Sequence, residues 1–124
     1  MKTLKRLALG AAFAPLACAS AAAAQEATAD GDKTVRVEAI RAIGGIERDE
    51  SSLLLRLRLL TGDAELEVVG ACCSALLSVE RGRAIPFIGR LLDTEDERAE
   101  EAALALGETQ EEEAFSILRD RFET

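Results

Sequence analysis

The chain reads as all-α, an α-solenoid of about three antiparallel helix pairs, and three observations predict it. The first is self-similarity. Ala39-Ile40-Arg41-Ala42-Ile43-Gly44 returns as Cys72-Cys73-Ser74-Ala75-Leu76-Leu77 and again as Ala102-Ala103-Leu104-Ala105-Leu106-Gly107, at spacings of 33 and 30 residues. Each copy sets a small residue, two free positions, Ala, and then a large aliphatic. A pattern returning at a period of about 20–50 residues marks stacked supersecondary units. The second observation is the run Ala84 to Glu97, AIPFIGRLLDTEDE, which is one amphipathic helix, an acidic turn and the start of the next helix. The third is composition. There is no Trp or Tyr, and the 48% hydrophobic fraction is carried by Leu, Ala, Ile and Val. Ala and Leu favour helices, whereas strand-rich cores lean on β-branched and aromatic residues.

The elements follow in order. Residues 25–33 (QEATADGDK) are polar and expected to form a flexible leader. A helix from about Thr34 to Ile43 is expected to bury Val35, Ala39, Ala42, Ile43 and Ile46, which recur at three- and four-residue spacing. Gly44-Gly45 is expected to stop it by adopting the left-handed conformation. The next segment, SSLLLRLRLL from Ser51 to Leu60, alternates like a strand over Leu55 to Leu59. A lone strand between helices would have no partner, so it is assigned as the second helix of the first pair. Thr61-Gly62-Asp63 is a turn. A third helix, about Ala64 to Val79, carries Leu66, Val69, Cys72, Cys73, Leu76 and Leu77. The fourth, about Arg83 to Leu92, has Pro86 near its start, where a missing N–H costs least. Thr94-Glu95-Asp96-Glu97 is a capping box for the fifth helix, which ends at Gly107, and Thr109-Gln110-Glu111-Glu112 repeats the device for a sixth helix running to about Phe122.

The N-terminus points to export. Met1 to Arg6 is basic, and the apolar stretch Leu7 to Ala17 is shorter than the roughly 20 residues that span a bilayer. The small-residue exit is Ala22-Ala23-Ala24. Together these make a secretory signal peptide cut after Ala24, with a periplasmic or secreted product. The alternative is a lipoprotein processed at Cys18, where a lipobox usually has Leu at the place of Pro15. The organisation is therefore residues 1–24 signal peptide, 25–33 leader and 34–124 repeat domain. Removing the signal peptide takes away Lys2, Lys5 and Arg6 and no acid, so the formal charge moves from −8 to −11. Such a domain should favour neither nucleic acid nor anionic membrane, and no membrane span is expected.

The residues "small-x-x-Ala-aliphatic-Gly" in first helices, and Ala84-Ile85-Pro86-x-Ile88-x-x-Leu91-Leu92-Asp93 in a second helix, resemble HEAT repeats of the short variety known from phycobilisome lyases. Leu66 to Gly107 matches best. The resemblance covers roughly Thr34 to Phe122, and departs in the last helix, where Ser116 replaces the Pro and Asp120 replaces Arg90. It implies an α-solenoid fragment that binds other proteins, an interaction module or scaffold. Relatives of this architecture include bilin-attaching lyases, which leaves a small accessory protein as the alternative. They also include hydroxylases that hold iron through His-Glu pairs, which the lack of His excludes here.

No enzyme activity, cofactor or metal is expected. Glu95-Asp96-Glu97, Glu100-Glu101 and Glu111-Glu112-Glu113 cluster at helix starts, where negative charge complements the macrodipole. Cys72 and Cys73 stand where other repeats have Ala, and are taken as small buried thiols. The candidate binding residues lie on the second helices, which carry Arg56, Arg58, Arg83, Arg90, Arg119 and Arg121. On a helical wheel Leu53, Leu57 and Leu60 share one side of the second helix, and Leu55 and Leu59 fall nearly opposite. The first set is expected to stack on the second repeat. Leu55 and Leu59 are then the uncovered face, and with Arg58 and Arg90 they form the expected partner-binding set. The partner is a protein, with a second copy of the chain as one candidate. One outcome follows from the N-terminus alone: intact-mass analysis of protein from the envelope should find a chain beginning at Gln25, and acyl mass retained on Cys18 would refute it.

Overall fold

The computed structural model describes residues 26–46 and 49–123, and these are all-helical. The expected signal peptide and Cys18 lie outside the described residues. Six α-helices pack against one another: α1 (Lys33–Gly44), α2 (Asp49–Thr61), α3 (Leu66–Glu80), α4 (Ile85–Leu91), α5 (Arg98–Glu108) and α6 (Glu112–Glu123). A 3₁₀ turn, Arg81–Ala84, leads into α4. None of the described helices is long and apolar enough to cross a membrane.

The packing has a simple plan. Helix α1 packs on α3 and α3 on α5, while α2 lies on α3, α4 lies on α5, and α6 lies on both α4 and α5. The core runs through all six: Ile40 from α1, Leu55 and Leu59 from α2, Cys73 and Leu76 from α3, Ile88 from α4, Leu106 from α5 and Ala114 from α6 are at most 2% exposed. Each fully buried Leu or Ile is worth about 1.5–3 kcal/mol relative to exposure.

Local chemistry explains the boundaries. Asp32 caps α1, its carboxylate accepting from the Thr34 amide at 2.8 Å. Helix α1 ends at Gly44 as expected, but Gly45 has φ −89°, so the left-handed closure expected there does not occur. The real demand on Gly44 is space, since a Cβ there would lie 2.9 Å from the Cβ of Ala75 on α3. That close approach also turns α1. Val37, Ile40 and Ile43 face inward, while Val35 and Ile46 of the expected stripe are 40% and 42% exposed. Gly62, at φ +81°, makes the α2–α3 turn. Pro86 sits in the first turn of α4, as its missing donor requires.

The capping boxes are arranged differently from the expectation. Thr94 donates its hydroxyl to the Leu91 carbonyl at 2.8 Å, closing α4, and Asp96 instead accepts the Arg98 amide at 3.0 Å to start α5. Thr109 likewise donates to the Leu106 carbonyl, and it also accepts from the Glu111 amide. A hydroxyl in a short interhelical turn can reach orphan carbonyls behind it as readily as orphan amides ahead. The leader is held at two points: Thr28 is 1% exposed, and the Asp30 carbonyl accepts from Arg36 at 2.8 Å.

Cys72 and Cys73 are free and buried, and desolvation pushes both thiols up to about 12. Cys72→Ala should therefore be tolerated. Ala75→Leu should cost about 1–3 kcal/mol, because the enlarged side chain meets the Gly44 backbone rather than a deformable side chain. Thermal melts followed by far-ultraviolet circular dichroism measure both, and loss of the fold in Cys72→Ala would show that the thiol does more than fill space.

Candidate functional site

The second helices build the most distinctive surface of the molecule. On α2, residues 51, 55 and 59 recur at four-residue spacing and all three are buried. The opposite side presents Leu53, Leu57 and Leu60, at 69%, 49% and 60% exposure. The expected assignment of the two leucine faces is thus reversed: Leu55 and Leu59 are core, each 0% exposed. Two ion pairs accompany this orientation, one across five residues and one across 24. Arg56 pairs with Glu80 at the end of α3, its Nε donating at 2.9 Å, and Arg58 pairs with Asp63 in the turn before α3. These two contacts hold α2 against α3 with the Leu55 and Leu59 side inward.

Asp63 is the more elaborate anchor. It accepts from Nε and Nη2 of Arg36 at 2.9 Å each, from Arg58 at 3.3 Å and from the Glu65 amide at 2.9 Å. Only 6% of its side chain is exposed, and 12% of Arg36. Burial pushes its carboxyl up, but the Arg36 hydrogen bonds, the Glu65 amide and the charges of Arg36 and Arg58 together hold it below its ordinary value of 3.8. Arg58 is consequently a framework residue, turned away from the surface and with its Nε buried and unpartnered among the described residues.

Arg56 leads elsewhere. Its guanidinium lies 4.6 Å from the centroid of Phe87 on α4, and Arg90 stands 5.5 Å from the same ring. Each such contact is worth about 0.5–1 kcal/mol at a wet site. The Arg56 charge is shared with Glu80, whose carboxyl the Arg56 hydrogen bond holds below its ordinary value of 4.5. Arg90 is exposed and has no carboxylate partner among the described residues. Leu53 and Leu60 are three residues before and four after Arg56, so the leucine stripe and the guanidiniums adjoin on the helix surface. Arg58 and Arg90, expected to share one stripe, are not brought together, because Arg56 and Arg58 point about 160° apart on the helix.

The arginines of the last helix are engaged locally. Arg121 pairs with Asp93, and Arg119 pairs with Asp120 at 3.5 Å. A groove of about 740 Å³ runs along the other side of α3, floored by Gly70, Ala71, Ser74 and Ala75 between α1 and α5. Its cation, Arg41, is paired with Glu38 at 2.9 Å, so it lacks the unpaired charge that marks the second-helix face. Compared with family models, with curated proteins and with solved structures, the chain matches none of them.

The two anchoring carboxylates set a pH dependence. Both titrate below their ordinary values in the folded chain. The stability they add is therefore complete above about pH 4.5, the ordinary carboxylate range, and is lost as pH falls through their lowered native values. Melting temperature should drop on acidification below that pH, and Asp63→Asn should both cost about 3 kcal/mol and flatten the acid limb. An acid limb unchanged in Asp63→Asn would contradict the assignment.

Proposed function

We propose that the chain is an exported, HEAT-like α-solenoid that acts as a protein-interaction module, and that its second-helix face binds an acidic, leucine-bearing segment of another protein. Several observations support the solenoid reading: the repeated pattern, the row formed by α1, α3 and α5, and the placement of α2, α4 and α6 beside it. The basic start, the apolar run and the Ala22-Ala23-Ala24 exit support export. One observation carries the binding reading. Three leucines at i, i+4 and i+7 are exposed beside a guanidinium cluster on a chain of formal charge −8.

Two physical arguments give that observation its meaning. Soluble monomers seldom leave contiguous apolar patches of more than a few hundred Å² bare. A stripe of this spacing matches the anchors of one amphipathic helix or extended segment laid across it. The arginines then supply orientation and encounter rate, because an acidic partner meets a local positive field on an otherwise repulsive molecule. Arg90 contributes most to this, having no competing carboxylate, and Arg83 is exposed in the 3₁₀ turn seven residues earlier.

The test is retention of partners from the envelope fraction. Leu53→Glu with Leu57→Glu should abolish retention of proteins held by the parent while leaving helicity unchanged, since both side chains face solvent. Arg90→Glu should weaken retention about tenfold at low salt, and progressively less as salt rises. Retention that survives the double leucine substitution would refute this surface as the binding face.

A further inference from the structure

The middle of α3 carries two nucleophiles that the second-helix face does not use. Cys72 and Cys73 are adjacent, free and buried, in a helix that packs on α1, α2 and α5. Their side chains diverge, since neighbours on a helix point about 100° apart. Cys72 feels the charges of Arg58 on α2 and of Asp63, whereas Cys73 feels that of Glu101 on α5. The pair cannot join while α3 is helical. A disulfide sets its two Cα atoms about 4.4–6.8 Å apart, and consecutive Cα atoms are only about 3.8 Å apart. A bond between neighbours therefore forces the peptide between them out of the helical path and stores strain.

We propose that the pair is a redox latch: the closed fold requires the dithiol, and oxidation to the Cys72–Cys73 disulfide holds α3 broken at its middle and the molecule open. The oxidant is a small disulfide of the glutathione class. In the open chain one thiolate of the pair attacks it, forming a mixed disulfide and releasing one glutathione thiolate. The neighbouring thiol gives its proton to solvent, attacks the protein sulfur of that mixed disulfide and displaces the second glutathione. The pair loses two electrons and two protons in all, and the oxidant leaves as two thiols.

Two consequences make this a latch rather than damage. An oxidant that reacts only with the open chain draws the folding equilibrium toward it, as does any ligand confined to the unfolded state. Strain also makes the bond easy to reduce, and strained disulfides are the labile ones. A thiol reductant therefore restores the dithiol and lets α3 close again. Breaking α3 at residues 72 and 73 reaches the whole core, because Leu55 and Leu59 of α2 and Ile40 of α1 are buried in the same cluster as the two cysteines.

The test uses the full chain with Cys18→Ala, so that the pair supplies the remaining thiols. Melts followed by far-ultraviolet circular dichroism are compared in glutathione disulfide and in dithiothreitol. The midpoint should be lower in the oxidant by at least about 5 °C. The cooled, oxidised chain should weigh two hydrogens less and lack helical signal, and dithiothreitol should return both. Adding Cys72→Ala and Cys73→Ala should abolish the difference between the buffers; should that variant fail to fold, the recovery in dithiothreitol decides alone. Equal midpoints in the two buffers, an oxidised chain with full helicity, a shift that persists without the pair, or a product that is a lasting glutathione adduct or a disulfide between chains would each overturn the proposal.

Discussion

One carboxylate organises the first half of the molecule. Asp63 sits in a turn of a few residues, yet it accepts from α1 through Arg36, from α2 through Arg58, and from the start of α3 through the Glu65 amide. A buried ion pair of this kind adds little net stability over a well-packed apolar group, but separating it strands a charge in a poorly solvated place. Its effect is therefore on arrangement. With both guanidiniums fixed to one oxygen pair, the rotation of α2 about its own axis is settled, and so is the choice of which leucines enter the core. The next turn uses the same chemistry at the opposite polarity of backbone group: Asp96 holds Arg98, and Arg98 donates to the Leu59 and Leu60 carbonyls at 3.0 and 2.9 Å, which α2 cannot satisfy itself. The Arg98 side chain and amide, both donating to Asp96, hold its carboxyl down at about 2.

The number, order and approximate limits of the helices were legible because they depend on local pattern. Leucine and alanine spacing, Pro86 and the Gly-bearing turns all act within a few residues of where they appear. The rotation of α2 was not legible, and the reason is specific. SSLLLRLRLL places leucines on two opposite faces, so hydrophobicity alone is indifferent between them. The deciding partners, Asp63 and Glu80, are 5 and 24 residues away from Arg58 and Arg56. Helix α1 failed in a related way. Its stripe could be drawn through Val35 or through Val37, and only the closeness of Gly44 to Ala75 selects the second. Gly44 and Ala75 are not aligned by the repeat pattern, so their contact becomes visible only when α1 and α3 are known to touch.

The two sides of α3 illustrate how the same helix serves different ends. Toward α2 it offers Val68, Val69, Cys72 and Leu76, a dense apolar surface that accepts large side chains. Away from α2 it offers Gly70, Ala71, Ser74 and Ala75, over which α1 and α5 draw near and leave the open groove. Bulk goes where helices are held together by side-chain volume, and smallness where backbone must approach backbone. The second-helix face, by contrast, is spared both constraints. Its leucines are constrained neither by packing nor by pairing within the chain, and that freedom is what makes it informative.

Cys72 and Cys73 sit at the centre of this arrangement, at 2% and 0% exposure, with thiols whose deprotonation burial strongly disfavours. In the closed molecule an alkylating or disulfide reagent therefore finds neither the sulfur nor the thiolate. Modification must wait for α3 to separate from its neighbours, so its rate measures how often the middle of the protein opens rather than how reactive the sulfur is. A chain without Trp or Tyr, and hence nearly silent to intrinsic fluorescence, carries in this pair its own clock for breathing motions.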